Sequence, residues 1–286
     1  MSADRNSASP PGQATDRYAL GTTAGELRRL SLQDRVFAPH SENLFRQAGI
    51  TGGLRVLDAG CGTGDTTRLL ARIVGPAGLV VGVDRDPRAL ETARQAVSAE
   101  DLTNVRFVQG DLRALALDEE FDALAGRLIL MHLDDPVPAL SHLVRRVRPG
   151  GVVTFQEATM GRAGAIPEVP LISRNVEWGR AALRQAGADP EFGDSLPAVF
   201  QQAGLPHPGF AAIRIAGDAD SLLPEYLTQT IKSLGPMAIA AGAATAGEIA
   251  RCTTEALAAQ TRERQAMIHL QELACAWARR PVIGQG

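Results

Sequence analysis

The chain has 286 residues, a net charge of −3, and 45% hydrophobic against 21% charged residues, enough for one large α/β domain with added helices or for two small domains. That near-neutral balance and an aromatic content of 4% argue against the basic footprint of a nucleic-acid binder and the stacking platform of a single-strand binder. The three cysteines, Cys61, Cys252 and Cys275, have neither disulfide nor zinc spacing, and no apolar run approaches the roughly 18 residues of a membrane span; a cytoplasmic protein with no secretory leader, metal or membrane partner is expected.

Residues 1–16 are rich in Ser, Pro and Asp and read as a disordered tail. Residues 17–48 read as a helical cap: Leu27, Leu30, Leu32, Val36 and Phe37 recur at helical spacing, and Leu44, Phe45 and Ala48 follow. Pro39 predicts a split into two helices. Short apolar runs then alternate with amphipathic segments. Strands are predicted at 55–58, 79–84, 105–108, 121–125 and 152–156, with helices at 66–74, 87–99 and 136–147 between them. The turn Pro149-Gly150-Gly151 should precede the fifth strand. Such alternation predicts a mostly parallel sheet covered by helices on both faces.

The rhythm breaks after Glu157. Residues 49–160 form the expected core and 161–210 an inserted lid with helices near 171–185 and 195–204. Residues 211–286 contain a strand at 211–215, a further helical lid over about 220–264 with breaks at Pro224, Gly235-Pro236 and Gly242, and a last strand from Met267 to Ala276.

The chemistry concentrates in Val56 to Gly64 (VLDAGCGTG) and in Asp84. Glycines between a strand and a helix let the backbone turn tightly and let a ligand approach it. The helix start offers free N–H groups to an anion. An acid ending the next strand is placed for a ribose hydroxyl pair. The dinucleotide fingerprint is G-x-G-x-x-G, whereas the spacing here is G-x-G-x-G with Asp58 ahead of it.

That string closely resembles the first motif of class I S-adenosylmethionine-dependent methyltransferases. The resemblance implies a Rossmann-like, seven-stranded, mostly parallel sheet and S-adenosyl-L-methionine as cofactor. It further implies that Gly60, Gly62 and Gly64 line the methionine end, that Asp58, Cys61 and Thr66 also belong to the cofactor site, and that Asp84 and Arg85 meet the ribose and adenine. Asp111 and Leu112, in the Gln109-Gly-Asp-Leu112 motif, would take the adenine, and Arg127 the cofactor's amino end. Tyr18-Ala-Leu-Gly21 and the ending Ala276-Trp-Ala-Arg-Arg-Pro281 resemble a bacterial natural-product subgroup that includes C-methyltransferases of indole and isoprenoid compounds. In that subgroup an N-terminal helix folds over the cofactor, sometimes from a neighbouring subunit. A homodimer or higher homo-oligomer is therefore expected, with Tyr18 in both the cofactor and the catalytic site.

Methyl transfer asks the protein to hold the acceptor near attack distance, exclude water and, where needed, remove a proton. His132 after the fourth strand and Glu157 at the end of the fifth are the expected catalytic and substrate-binding groups. Arg174, Trp178 and Tyr226 are the expected lid contacts, Arg174 for a pyrophosphate and Trp178 or Tyr226 for an indole; no metal triad is visible, and whether Mg²⁺ accompanies a diphosphate is left open. The sequence thus points to methylation of a small, largely apolar metabolite, with carbon the preferred acceptor atom. Alternatives are O- or N-methylation of an aromatic metabolite, a non-catalytic cofactor-binding protein, and an NAD-dependent oxidoreductase, against which the glycine spacing argues.

Overall fold

The computed structural model describes residues 24–282. Tyr18 and the tail lie outside them. The chain opens with α1 (Ala24–Ala48), β1 (Arg55–Ala59), α2 (Asp65–Val74), β2 (Leu79–Asp84), α3 (Pro87–Ala99) and β3 (Val105–Gln109). It continues through β4 (Phe121–Arg127), a 3₁₀ turn (Leu130–His132), α4 (Pro136–Val144), β5 (Val147–Thr159) and β6 (Gly164–Ile166). Then follow α5 (Pro170–Gln185), α6 (Phe192–Gln202), β7 (Gly209–Gly217), α7 (Leu223–Ala240), α8 (Ala246–Arg251), α9 (Thr254–Glu263) and β8 (Met267–Arg279).

The strands form one sheet in the order β3-β2-β1-β4-β5-β8, with β7 also on β8. The pairs among β1 to β5 are parallel, and β8 runs antiparallel to β5, β6 and β7. Residues 272–277 of β8, which pair with β5, and 268–269, which pair with β6, also pair with β7, so β5 and β6 share one edge of β8 and β7 takes the other. β6 therefore continues the line of β5 after a break, and the sheet is seven strands wide although it contains eight strands. This is the mostly parallel, helix-covered sheet that the apolar runs predict, in the Rossmann-like, seven-stranded form that the resemblance implies.

Alternation along the central strands explains the two covered faces. Leu57, Val81, Leu124 and Val153 point to the side of Leu140, Leu143 and Phe200 on α4 and α6. Their neighbours Val56, Val80, Ala123 and Val152 point to Phe45, Ile50, Leu69 and Leu70 on the side of α1 and α2. A third cluster joins Leu32, Val36 and Phe37 of α1 to Ile172 of α5, Tyr226 and Ile231 of α7, and Leu273 of β8. It builds a roof beyond the carboxyl ends of the parallel strands, where such sheets open their ligand crevice.

Several boundaries differ from those predicted. Pro39 and Pro236 lie inside continuous helices, α1 and α7. A proline deletes one helical hydrogen bond, but both flanks of Pro39 are anchored: Val36 and Phe37 in the roof, Phe45 and Ala48 in the core. Pro224 sits in the first turn of α7 and starts that helix. Helix α4 ends at Val144, and β5 already pairs at Val147 with Phe121, a register shift carrying the chain past Gly150 and Gly151. Among the described residues no helix is long and apolar enough to cross a membrane.

Candidate functional site

The glycine-rich loop is bent by its glycines and held to β2. Gly60 and Cys61 both donate to the Val83 carbonyl, at 2.9 and 3.0 Å, and Gly64 donates to Cys61 at 2.9 Å. Gly60, Gly62 and Gly64 have φ of +70, +52 and +85°, a region L-residues enter at a cost of about 1–2 kcal/mol. Their surroundings separate them. A Cβ on Gly60 would fall 2.3 Å from the Ile129 side chain, and one on Gly64 would fall 2.9 Å from Ala93 Cβ, whereas one on Gly62 would meet nothing within 4 Å. Gly62 thus faces open space, and Gly64 lets α2 approach α3. Replacing Gly64 by alanine should lower stability by about 2 kcal/mol or more in a thermal melt. Gly62→Ala should cost less stability and weaken ligand binding instead, its methyl entering the opening; equal effects of the two on ligand affinity would contradict this assignment.

Asp84 closes the loop from the other side. Its Oδ2 accepts from Gly62 N and its Oδ1 from Asp86 N, each at 2.9 Å, and Asp86 in turn caps α3 by accepting from Arg88 N. Beside it, Asp111 is gripped by Arg113, whose guanidinium holds the carboxyl below its ordinary pKa.

These groups border a cavity of about 610 Å³. One end is lined by Gly60, Cys61, Gly62, Thr66, Asp84, Arg85, Asp111 and Leu112. The other reaches His132, Tyr226 and apolar side chains such as Met131, Met160, Val176 and Leu227. Arg127 lies along the wall, its guanidinium tied to α1 through Asp34 Oδ1 at 2.9 Å and Ser41 Oγ at 3.2 Å. Burial first, then the nearby Arg29 and Arg85 charges, push His132 down to about 4, so its ring is neutral at neutral pH. Tyr226 is buried, accepts from Gln271 Nε2 at 2.8 Å, and packs edge-on against Phe37; burial pushes its pKa up.

Five expected site residues do not line the cavity. Asp58 is 1% exposed beneath the loop, where its Oδ2 accepts from Thr67 Oγ1 at 2.6 Å and burial pushes its pKa up to about 7. Gly64 packs between helices, as above. Glu157, expected in the pocket, is 0% exposed and turned into the loop after β4. Its Oε1 accepts from the backbone N–H groups of Ile129 and Leu130, at 3.0 and 2.7 Å, and burial pushes its pKa up to about 7. Trp178 is a core residue at 2% exposure. Arg174 stacks on it at 5.7 Å and pairs with Glu248 at 2.6 Å. The cavity face of α5 is one residue further round, at Asn175 and Gly179.

Other lining residues escaped prediction: Arg29 and Gln33 of α1, Thr230 of α7, and His269 and Gln271 of β8. The spacing of Arg29 and Gln33, and of His269 and Gln271, signals a shared face. Cys61 reaches the lining, but burial pushes its thiol well above the usual range, which argues against a nucleophile.

Residues 50–182 match the family model described as a methyltransferase domain. A demethylmenaquinone methyltransferase of Staphylococcus aureus is 33% identical over 119 residues, 41% of this chain and 48% of that protein. The chain spans about half the length of the curated relatives it matches. Among solved structures, the YcgJ protein of Bacillus subtilis superposes with a TM-score of 0.56 at 20% identity, covering 85% of this chain and 100% of that one. The phosphoethanolamine N-methyltransferase 2 of Haemonchus contortus, in complex with phosphomonomethylethanolamine and S-adenosylhomocysteine, gives 0.60 at 15% identity, covering 94% of this chain and 61% of that one. At such identities these two superpositions establish the fold.

Proposed function

We propose, from the premise that residues 50–182 form a class I S-adenosylmethionine-dependent methyltransferase domain, that the protein transfers a methyl group from S-adenosylmethionine to a small, largely apolar metabolite. One observation carries the reading: a single cavity joins the glycine loop, Asp84 and Asp111 to an apolar chamber under α1, α5 and α7. The residues fit the donor. Gly62 leaves open space beside the loop, the start of α2 suits a carboxylate, Asp84 stands at the ribose position and Asp111 with Leu112 at the adenine.

When bound, the cofactor supplies an electrophilic methyl carbon and its own leaving group. The chain's part is to place the acceptor, exclude water and receive any proton released. In this division residues 49–160 hold the donor, the lid segments 161–210 and 220–264 enclose the acceptor, and α1 closes over both. Carbon is the acceptor atom to which the subgroup resemblance points, but the buried Glu157 no longer supports that choice. The imidazole of His132 on the cavity wall supports a second reading, O- or N-methylation, in which it hydrogen-bonds and orients a hydroxyl or amine; with its pKa near 4 it positions that group rather than taking its proton.

Calorimetry with S-adenosylhomocysteine and with NADH tests the donor: the first should bind and the second should not. Isotope-labelled methyl from S-adenosylmethionine should then appear in an apolar product. Failure to bind S-adenosylhomocysteine would overturn the proposal, and binding without transfer to any acceptor would leave a non-catalytic cofactor-binding protein.

A further inference from the structure

The inner chamber joins a hydrogen-bonding cluster to apolar walls. Tyr226 and Thr230 are one turn apart on α7, and His269 and Gln271 share a face of β8; all four line the same cavity. The Tyr226 oxygen accepts the Gln271 amide at 2.8 Å, which leaves the phenol's own proton to be given elsewhere. Thr230 Oγ1 lies beside that phenol and acts against the rise that burial gives its pKa. His269 Nδ1 is a buried polar atom without a partner among the described residues, and Thr230 Oγ1 has none there beyond the phenol. Buried polar groups are nearly always satisfied, so unpaired ones around a cavity mark where a ligand's polar atom belongs.

The charges in the chamber compensate one another. Arg29, which lines it, donates from Nε to both Glu26 oxygens at 3.0 Å and from Nη1 to Gln33 at 2.7 Å, and Glu26 also accepts from Ser233 at 2.7 Å. An anionic or cationic head group would therefore lose its hydration without gaining an uncompensated counter-charge. Arg174, the lid cation expected to meet a pyrophosphate, lies outside the cavity lining and is paired with Glu248.

We propose that the chamber selects an uncharged, apolar acceptor bearing a carbonyl oxygen, with Tyr226 and Thr230 donating to its two lone pairs. A carbonyl suits this pair of donors because it accepts twice and gives nothing. The inference rests on the methyl-transfer reading for calling the occupant a methyl acceptor, and it names that acceptor's class.

The test uses the full chain with and without saturating S-adenosylhomocysteine, and three probes of similar shape: 1-tetralone, its hydrocarbon tetralin, and 1-naphthoate. The ketone should bind about fivefold or more tighter than the hydrocarbon, and the carboxylate more weakly than the ketone. Tyr226→Phe should remove most of the ketone's advantage while leaving tetralin affinity unchanged, and Thr230→Val should remove part of it. Each variant's S-adenosylhomocysteine affinity reports whether its fold is intact, and Thr230→Val serves if Tyr226→Phe misfolds. Equal binding of ketone and hydrocarbon, tightest binding of the carboxylate, equal weakening of ketone and hydrocarbon by the variants, or no binding of the ketone up to its solubility would each overturn the proposal. Loss of S-adenosylhomocysteine binding alone, with the ketone preference intact, would instead sink the methyl-transfer reading.

Discussion

Replacing Asp84 by alanine should weaken S-adenosylhomocysteine binding about 100-fold or more while leaving the chain folded. The carboxylate has two tasks. It organises the loop, accepting from Gly62 N and Asp86 N at 2.9 Å each, and it presents its remaining lone pairs to the cavity it lines. Hydrogen bonds to a charged group contribute about 1.5–3 kcal/mol each, and two lost to a ribose correspond to two or more powers of ten in affinity. The fold should survive because Gly60 and Cys61 stay anchored to Val83. Asp84→Asn should fall between: an amide keeps one accepting oxygen and substitutes a donor for the other. Calorimetry on wild type and both variants, with thermal melts alongside, decides the matter. Undiminished affinity in Asp84→Ala would reduce the residue to a loop brace and move the ribose site elsewhere.

Asp84 and the loop were legible in the sequence because backbone geometry dictates them. Glycines with positive φ between a buried strand and a helix, followed by an acid at the end of the next strand, admit few alternative layouts. The strands were legible as apolar runs, and the sheet followed from their alternation with helices. Legibility stopped where a third element decides. Whether Pro39 breaks a helix depends on what grips both its flanks, and the packing of Phe37 and Phe45 into separate clusters holds α1 continuous. Which face of α5 meets the cavity depends on the helix's rotation. Arg174 and Trp178 offered attractive chemistry at one spacing, yet Asn175 and Gly179, one residue on, line the space. His269 and Gln271 became site residues only because β8 returns antiparallel to β5 and beneath α7. Glu157 was placed at the correct strand end, but its direction is set by unpaired N–H groups in the loop after β4.

That placement gives Glu157 a consequence measurable as pH-dependent stability. Burial raises its pKa from 4.5 to about 7, and that of Asp58 from 3.8 to about 7. A carboxyl raised in the folded state binds its proton more tightly there than in the unfolded chain. Its contribution to stability is therefore complete below the unfolded pKa and is lost as pH rises through the folded one. His132 acts in the opposite sense: lowered from 6.5 to about 4, it stays neutral in the folded state, and its contribution is lost as pH falls from 6.5 toward 4. Each shift corresponds to a linkage on the order of 3 kcal/mol, so two against one leaves a net fall in stability toward alkaline pH. The lowered carboxyls Asp111, Asp122, Glu248 and Glu255 titrate below this window and leave it unchanged. The wild-type Tm should accordingly drop by roughly 5–10 °C between pH 5 and pH 8. Glu157→Gln should flatten that profile and match or exceed wild type at pH 8, since the amide oxygen still accepts from Ile129 and Leu130 without carrying charge. Asp58→Asn should flatten it in the same way. Glu157→Ala should be less stable across the range by about 2–4 kcal/mol, with two buried N–H groups left unpaired. Melts at half-unit pH steps distinguish these outcomes. A flat wild-type profile, or a Glu157→Gln profile parallel to it, would show that the buried carboxyl does not govern the loop that carries His132.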